Sequence, residues 1–165
     1  MNKRNTLLIG AGLVCGSVLG LALATPIVNL ASPFLSIGVA EDAISTHGVA
    51  ETSDGHFFNA RLTTDGPSNI SIQEAAFAVG GKNGWHSHPG LVMVTVLQGS
   101  LEWFDDACHS HIYNVGDSWT EGSARHAFRN VGPGTLTVSA VFVTAKGVPY
   151  RTDKSAPACA AELGL

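Results

Sequence analysis

The sequence has few charged side chains and no concentration of positive ones. Charged residues make up 13% of its 165 residues, against 45% hydrophobic residues. After Ala24 the chain contains 7 basic and 13 acidic residues, a net charge of −6, because Lys3 and Arg4 are the only charged residues before that point. Nucleic-acid binding needs a basic patch or stripe. Nucleic acid is therefore excluded as an expected partner.

Cysteine is also scarce, and no two cysteines stand in a Cys-x-x-Cys spacing. Cys15 lies in the N-terminal apolar run, which leaves Cys108 and Cys159 for the rest of the chain. In an oxidising compartment an even pair is more often bridged than free. We expect a Cys108–Cys159 disulfide. Thiolate catalysis is the rival interpretation, which the wide spacing of the two residues disfavours.

A long apolar run occurs once, at the N-terminus. Residues 6–24 are uncharged, follow Lys3 and Arg4, and end in the small-residue exit Ala22-Leu23-Ala24. This pattern predicts an export signal over residues 1–24. The alternative is an uncleaved membrane anchor helix, since the run approaches the roughly 20 residues that span a bilayer. Both interpretations place the remainder outside the cytoplasm, secreted or otherwise extracytoplasmic, with membrane contact through residues 6–24 alone if the signal is uncleaved.

No helical period follows this run, and the chain instead shows short β-like runs between glycine-rich turns. Residues 25–48 have no clean period and are interpreted as a linker or docked arm. Residues 49–148 are expected to form one all-β barrel, and residues 149–165 a C-terminal tail tied down by the disulfide. The expected strands are Phe57 to Thr63, Asn69 to Ala78, Leu91 to Gln98, Leu101 to Phe104, His111 to Val115, His126 to Asn130 and Thr135 to Val143.

Two histidines in the segment Trp85-His86-Ser87-His88-Pro89-Gly90 have the spacing of a metal half-site. Residues two apart in a strand point the same way and lie about 6–7 Å apart. His86 and His88 can therefore reach one ion, and imidazole is a common ligand of zinc, iron, copper and nickel. The alternative is a pair of exposed histidines near a turn. Trp85, by alternation, is expected to face away from the ion and to lock the strand in place.

The arrangement resembles the cupin superfamily. Its first motif places a glycine, His-x-His, a glutamate and a second glycine at spacings that Gly80, His86, His88 and Gly99 match. The frame of its second motif is matched by Gly116, His126 and Asn130. The resemblance covers about residues 70–143 and implies a single-domain jelly-roll barrel holding one divalent metal ion on His86, His88 and His126. A group of small secreted bacterial cupins is similar in the segment Gly84 to Gly90 and in both late cysteines, and implies no particular substrate.

Two departures from the family pattern concern the site. Val92 stands where the family has its glutamate ligand, and Glu121-Gly122-Ser123 replaces the usual Pro-x-Gly in a segment one residue shorter than usual. Three neutral imidazoles would leave the ion's double charge uncancelled, so we expect an electropositive, open site that favours anionic ligands. Glu121 is the preferred candidate for an acid or base. It either orients a ligand or replaces the missing glutamate from another direction, and the alternative is a solvated loop acid.

Two functional hypotheses follow. The first is a metal-dependent enzyme, an oxygenase or an isomerase, that acts on a small anionic molecule; some three-histidine cupins are iron dioxygenases, which supports this by analogy only. The second is a non-enzymatic barrel that binds or senses a small molecule and has a degraded metal site. Iron, manganese, zinc, nickel and copper are not distinguished by these ligands. A homodimer formed through strand edges is left open.

Overall fold

The structure is a computed structural model of the chain, and it describes residues 27–29 and 31–165. The expected signal peptide or anchor helix at residues 1–24 lies outside the described residues. Within them, no helix has the length and apolar character needed to cross a membrane.

The described part of the chain is all-β, as predicted, apart from one short 3-10 helix at Ala158–Glu162. Its strands are β1 Phe34–Ala40, β2 Ser45–Glu51, β3 Phe57–Thr63, β4 Ser68–Phe77, β5 His86–Ser87, β6 Leu91–Gln98, β7 Ser100–Phe104, β8 Ser110–Asn114, β9 Ser118–Glu121, β10 Ala127–Asn130, β11 Leu136–Ala145 and β12 Thr152–Asp153.

Two layers of strands enclose the core. One is a five-stranded sheet in the order β1-β4-β11-β6-β9, and every pair in it is antiparallel. The other contains the sheet β10-β7-β8 and the pair β12-β5. An isolated bridge between His86 and His126 connects β5 to the start of β10. The second layer is therefore continuous across the two histidines.

The core is built by the alternation of side chains along the long strands. In β6, Val92, Val94 and Val96 point inward and are nearly inaccessible, whereas Leu91 and Met93 face outward. β11 alternates in the same way over most of its length. This period of two is what a strand with one buried face requires. The inward residues of both strands pack in one cluster with Trp119, Phe128 and other side chains.

Glycines allow two close approaches beside this core. Gly99 forms the turn between β6 and β7 with a φ of +81°, a conformation that side chains with a Cβ rarely adopt. Gly90 follows the His-x-His segment, and a Cβ on it would lie 2.1 Å from the carbonyl oxygen of Val143. Because Gly90 has no Cβ, the chain can pass close to β11 as it enters β6.

The first strands depart from expectation. β1 lies in the segment that was interpreted as a linker or docked arm, and its antiparallel pairing with β4 makes it part of the main sheet. β3 pairs with β2 in a separate two-stranded sheet. On β3, Phe58 and Ala60 are exposed and Leu62 is half-buried, so this strand has no buried face. Alternation identified the strand but not what it packs against.

The C-terminal tail is attached to the rest of the fold at two points. β12 pairs with β5, and a disulfide joins Cys108 to Cys159 across 51 residues, as the sequence predicted. Beside the bridge, Arg125 donates to Asp106 and to the carbonyl of Ser155. Trp85 is fully buried in a second cluster with Phe104, Ala127, Ala160 and Leu165. The tail therefore packs against the residue that precedes β5.

We predict that the double variant Cys108→Ser/Cys159→Ser unfolds more easily than the natural chain. Closing a loop of this length should stabilise the fold by about 4 kcal/mol in the chain-entropy model. The free energy of unfolding in urea measures the loss. Dithiothreitol should produce the same loss in the natural chain and none in the variant, and equal stabilities of the two oxidised proteins would contradict the prediction.

Candidate metal centre

Four side chains that can bind a metal converge inside the barrel: His86, His88, Glu121 and His126, called here the His–Glu cluster. One ligand atom from each lies within 4.8 Å of the others. All four residues are buried, with at most 9% of their surface exposed. The structure thus brings together the three predicted histidines and the carboxylate that was the preferred acid or base.

Backbone pairing places two of the histidines side by side. The amide of His86 donates to the carbonyl of His126, and the amide of His126 donates back, each over 2.9 Å. Their rings lie with centroids 4.3 Å apart, and the ring of His88 is 4.8 Å from that of His86. The His-x-His spacing and the bridge between β5 and β10 therefore direct three imidazoles into one volume.

Each imidazole is oriented by a hydrogen bond on its outer nitrogen. Nδ1 of His86 lies 2.8 Å from the carbonyl oxygen of Gly84, Nδ1 of His126 lies 2.9 Å from that of Ala124, and Nδ1 of His88 lies 2.6 Å from that of Tyr150. A carbonyl oxygen only accepts, so Nδ1 must carry the hydrogen in each ring. In a neutral imidazole this leaves Nε2 as an acceptor, which is the form that binds a metal.

The carboxylate of Glu121 is held from its other side by two tryptophans. Trp103 and Trp119 donate their indole N–H groups to Oε1 of Glu121, over 3.0 and 2.9 Å. Trp119 and Glu121 are two apart on β9, so they share the inner face of the sheet. The second oxygen, Oε2, faces Nε2 of His88 at 3.3 Å and Nε2 of His126 at 3.2 Å. This role of the two tryptophans was not predicted from the sequence.

The structure adds a carboxylate to the three predicted histidines, because Glu121 enters the site from another direction, which is one of the alternatives considered for it. Val92, at the family's glutamate position, is buried on β6, and in the antiparallel register it stands directly opposite Glu121 on β9. Paired residues of neighbouring strands point to the same face of a sheet. The carboxylate therefore enters the site from the adjacent strand. Glu121 is a buried strand residue and not a solvated loop acid.

The electrostatics favour an ionised carboxylate on Glu121 and an uncharged ring on His86. Burial raises the pKa of Glu121, but the facing rings of His126 and His88 outweigh it and hold that pKa well below its ordinary value. Burial, with the positive charge of neighbouring His126 and Arg151, lowers the pKa of His86 to about 2. The ionised carboxylate thus faces ring nitrogens of His88 and His126 that can bind a proton or a metal ion.

These residues fit a bound cation. Nε2 of His126 is buried and has no hydrogen-bond partner among the described residues, while a carboxylate oxygen lies 3.2 Å from it. Two facing acceptors need a proton or a cation between them. One divalent ion would satisfy all four ligand atoms together, and three nitrogens with one oxygen are a donor set that first-row metals accept.

A cavity of about 250 Å³ adjoins the cluster. Its wall is mostly apolar and includes Val94, Val138, Ala140 and Phe142. Polar groups enter it from Gln73, Asn83 and Arg151. Ligand sites for drug-sized molecules usually measure about 300–1,000 Å³. The cavity therefore suits a molecule of few heavy atoms.

The other four histidines lie away from the cluster. His47, His56, His109 and His111 are exposed. His47 is 3.1 Å from the side-chain oxygen of Asn59, and His109 forms a surface pair with Asp105. Neither arrangement belongs to a metal-ligand group among the residues that the structure describes.

Comparison with known proteins gives a family match and similar structures. Residues 73–143 match the family model described as "Cupin domain". Comparison with curated proteins gives no match. The chain is similar to an oxalate oxidase in complex with the substrate analogue glycolate, with 22% identity and a TM-score of 0.45 over 50% of this chain and 45% of that chain. It thus spans less than half of that protein.

Two further solved structures are similar. A cupin domain from Bordetella pertussis is 19% identical with a TM-score of 0.41, and the match covers 63% of this chain and 95% of that chain. A predicted oxalate decarboxylase from Thermotoga maritima is 18% identical with a TM-score of 0.41, over 48% of this chain and 82% of that chain.

We predict that the metal-free protein loses stability as the pH falls from 7 to about 5. The pKa of His86 is lowered in the folded state, so between its unfolded and folded values the unfolded chain binds the extra proton. Stability is therefore present above the unfolded pKa and lost below it, with a slope approaching about 1.4 kcal/mol per pH unit. Glu121, whose folded pKa is also lowered, acts in the same direction at more acidic pH.

Urea unfolding in the presence of a chelator, repeated across this pH range, measures the slope. His86→Gln should flatten it, whereas His56→Gln, which alters an exposed histidine of the β2–β3 turn, should leave it unchanged. An identical slope in the His86 variant and the natural chain would contradict the assignment.

Proposed function

The chain belongs to the cupin superfamily through its cupin domain at residues 73–143, and on this premise we propose that it is a metal-dependent protein of small-molecule chemistry. Its His–Glu cluster binds one divalent ion, and the adjoining cavity takes a small anionic molecule. The observation that carries this proposal is the convergence of four buried ligand atoms within 4.8 Å. Each ligand group is also oriented by a hydrogen bond on its outer side.

The donor set defines the charge of the site but not the metal. Three neutral imidazoles and one carboxylate suit iron, manganese, zinc, nickel or copper. Glu121 cancels one of the two positive charges of such an ion, so the loaded cluster keeps a single positive charge. When bound, the ion would act as a Lewis acid that polarises an oxygen atom of the small molecule.

Glu121 acts in this proposal as a metal ligand and not as an acid or base. Both of its oxygens are engaged, Oε1 by two indole N–H groups and Oε2 by the facing histidines. The residues of the chain bind and orient the small molecule, and the apolar wall excludes water from it. The reaction classes that fit are oxygenation and isomerisation.

Non-enzymatic binding is the second candidate, and one observation favours it. Among the described residues that line the cavity, no carboxylate or imidazole is present besides the His–Glu cluster itself. A reaction that needs a separate carboxylate or imidazole as its acid or base would lack one there, and the phenol of Tyr150 is the other candidate group among these lining residues. Turnover of a small organic acid by the metal-loaded protein separates the two candidates, because a binding protein returns the molecule unchanged.

We predict that Glu121→Val weakens metal binding about a hundredfold or more, since loss of a supporting group alone costs 10–100-fold. The double variant Val92→Glu/Glu121→Val should recover much of the affinity, because residue 92 faces residue 121 across the β6–β9 pair. Metal content by mass spectrometry and titration with Co²⁺, followed by its visible spectrum, measure both effects.

Glu74→Val, an exposed glutamate on β4, is the matched control and should bind metal normally. A natural chain that holds no metal after exposure to excess divalent ions would refute the proposal. A single variant that still binds Co²⁺ with the natural spectrum would remove Glu121 from the ligand set.

We also propose that the chain is exported. Residues 1–24 have the composition of a signal, and the Cys108–Cys159 disulfide suits an oxidising compartment. Expression of the full chain in a bacterium, followed by fractionation, should find the protein outside the cytoplasm. Mass spectrometry of the recovered protein distinguishes a cleaved signal from an anchor, and recovery from the cytoplasm with both cysteines reduced would refute export.

A further inference from the structure

The cavity beside the His–Glu cluster has one cationic side chain among the described residues that line it, Arg151. The side chain is largely buried, with 14% of its surface exposed. The guanidinium group of an arginine is charged in proteins. The small, mostly apolar cavity therefore contains a fixed positive charge.

Two hydrogen bonds, donated by Nε and Nη2, hold the guanidinium of Arg151 in place. Its Nε donates to Oδ1 of Asp153 over 2.6 Å, and Nη2 donates to the carbonyl oxygen of Asn83 over 2.7 Å. Asp153 is itself more than half exposed, so this ion pair lies towards solvent. Nη1 has no partner among the residues that the structure describes, and it leaves N–H groups available to a ligand.

The backbone places this group next to the cluster. Tyr150, the preceding residue, accepts the Nδ1 hydrogen of His88 with its carbonyl oxygen. The following strand, β12, pairs with β5, with Thr152 opposite Ser87 and Asp153 opposite His86. Arg151 is therefore joined at both sides to residues that orient or carry the candidate ligands.

We propose that Arg151 is the specificity-determining residue of the cavity and binds the carboxylate of a small organic acid. This inference rests on the proposed function, in which the cavity receives the ligand of a bound metal ion. Guanidinium and carboxylate are both planar, and their N–H and oxygen atoms match in pairs. The loaded cluster also keeps one positive charge, so an anionic ligand meets positive charge on both sides. The neutral amide of the same acid matches neither.

The test uses the full chain loaded with Zn²⁺ and titrated with glycolate and with glycolamide, its neutral counterpart of nearly equal size. Calorimetry measures binding, and mass spectrometry measures the zinc content of every protein. The natural chain should bind glycolate in preference to glycolamide. Arg151→Gln keeps an amide that can donate to Asn83, and it should bind glycolate about tenfold more weakly or worse, with glycolamide unaffected.

Two more variants complete the design. Arg151→Lys keeps the charge but not the fork and should be intermediate. Arg61→Gln, which alters an arginine on the separate β2–β3 hairpin, should bind as the natural chain does. Equal glycolate affinity in Arg151→Gln and the natural chain, at equal zinc content, would overturn the inference, and so would the absence of glycolate binding to the natural chain.

The failure of the proposed function would be visible separately, as a natural chain that retains no zinc. The same titrations on zinc-free protein then still decide the role of Arg151: a preference for glycolate that Arg151→Gln abolishes supports it, and no such preference overturns it.

Discussion

A buried carboxylate that faces two buried imidazoles is the interaction on which the rest of the barrel interior depends. Ionised groups away from water are costly unless they are paired and hydrogen-bonded. Here Oε1 of Glu121 accepts from Trp103 and Trp119, and Oε2 faces His88 and His126. The histidines are in turn oriented by backbone carbonyls. Residues on strands from both layers of the fold therefore hold one acidic side chain in position.

The position of that acid explains how the site contains a carboxylate although Val92 stands where the cupin motif has its glutamate. Val92 and Glu121 stand opposite each other on β6 and β9 and point into the same space. A metal site needs a ligand atom at a given position in space. In an antiparallel pair, either of two opposite residues can supply that atom. A glutamate at position 92 or at position 121 would direct its carboxylate to the same site, but only position 92 matches the sequence motif.

Much of the fold could be predicted from the sequence, and the site only in part. β3 and β6 have the expected bounds, because long alternating runs between glycine turns are a strong signal. β5, β9 and β12 are two to four residues long, too short for a period to show. Because β9 was not predicted, a solvated loop acid stayed open as an alternative for Glu121. The alternation of Trp119 with Glu121 was the available signal. The approach of Tyr150 and Arg151 to the cluster could not be predicted, since tertiary contacts of the tail determine it.

The tail that supplies these two residues follows all of the long strands in the sequence. Tyr150 holds His88 in orientation, β12 pairs with the strand that carries His86, and the tail is anchored through Cys159. A chain that emerges N-terminus first can form its long strands before these residues are available, but not the completed ligand geometry. A closed barrel is therefore not sufficient for the site, because its geometry is complete only after the tail has paired with β5 and Cys159 has reached Cys108.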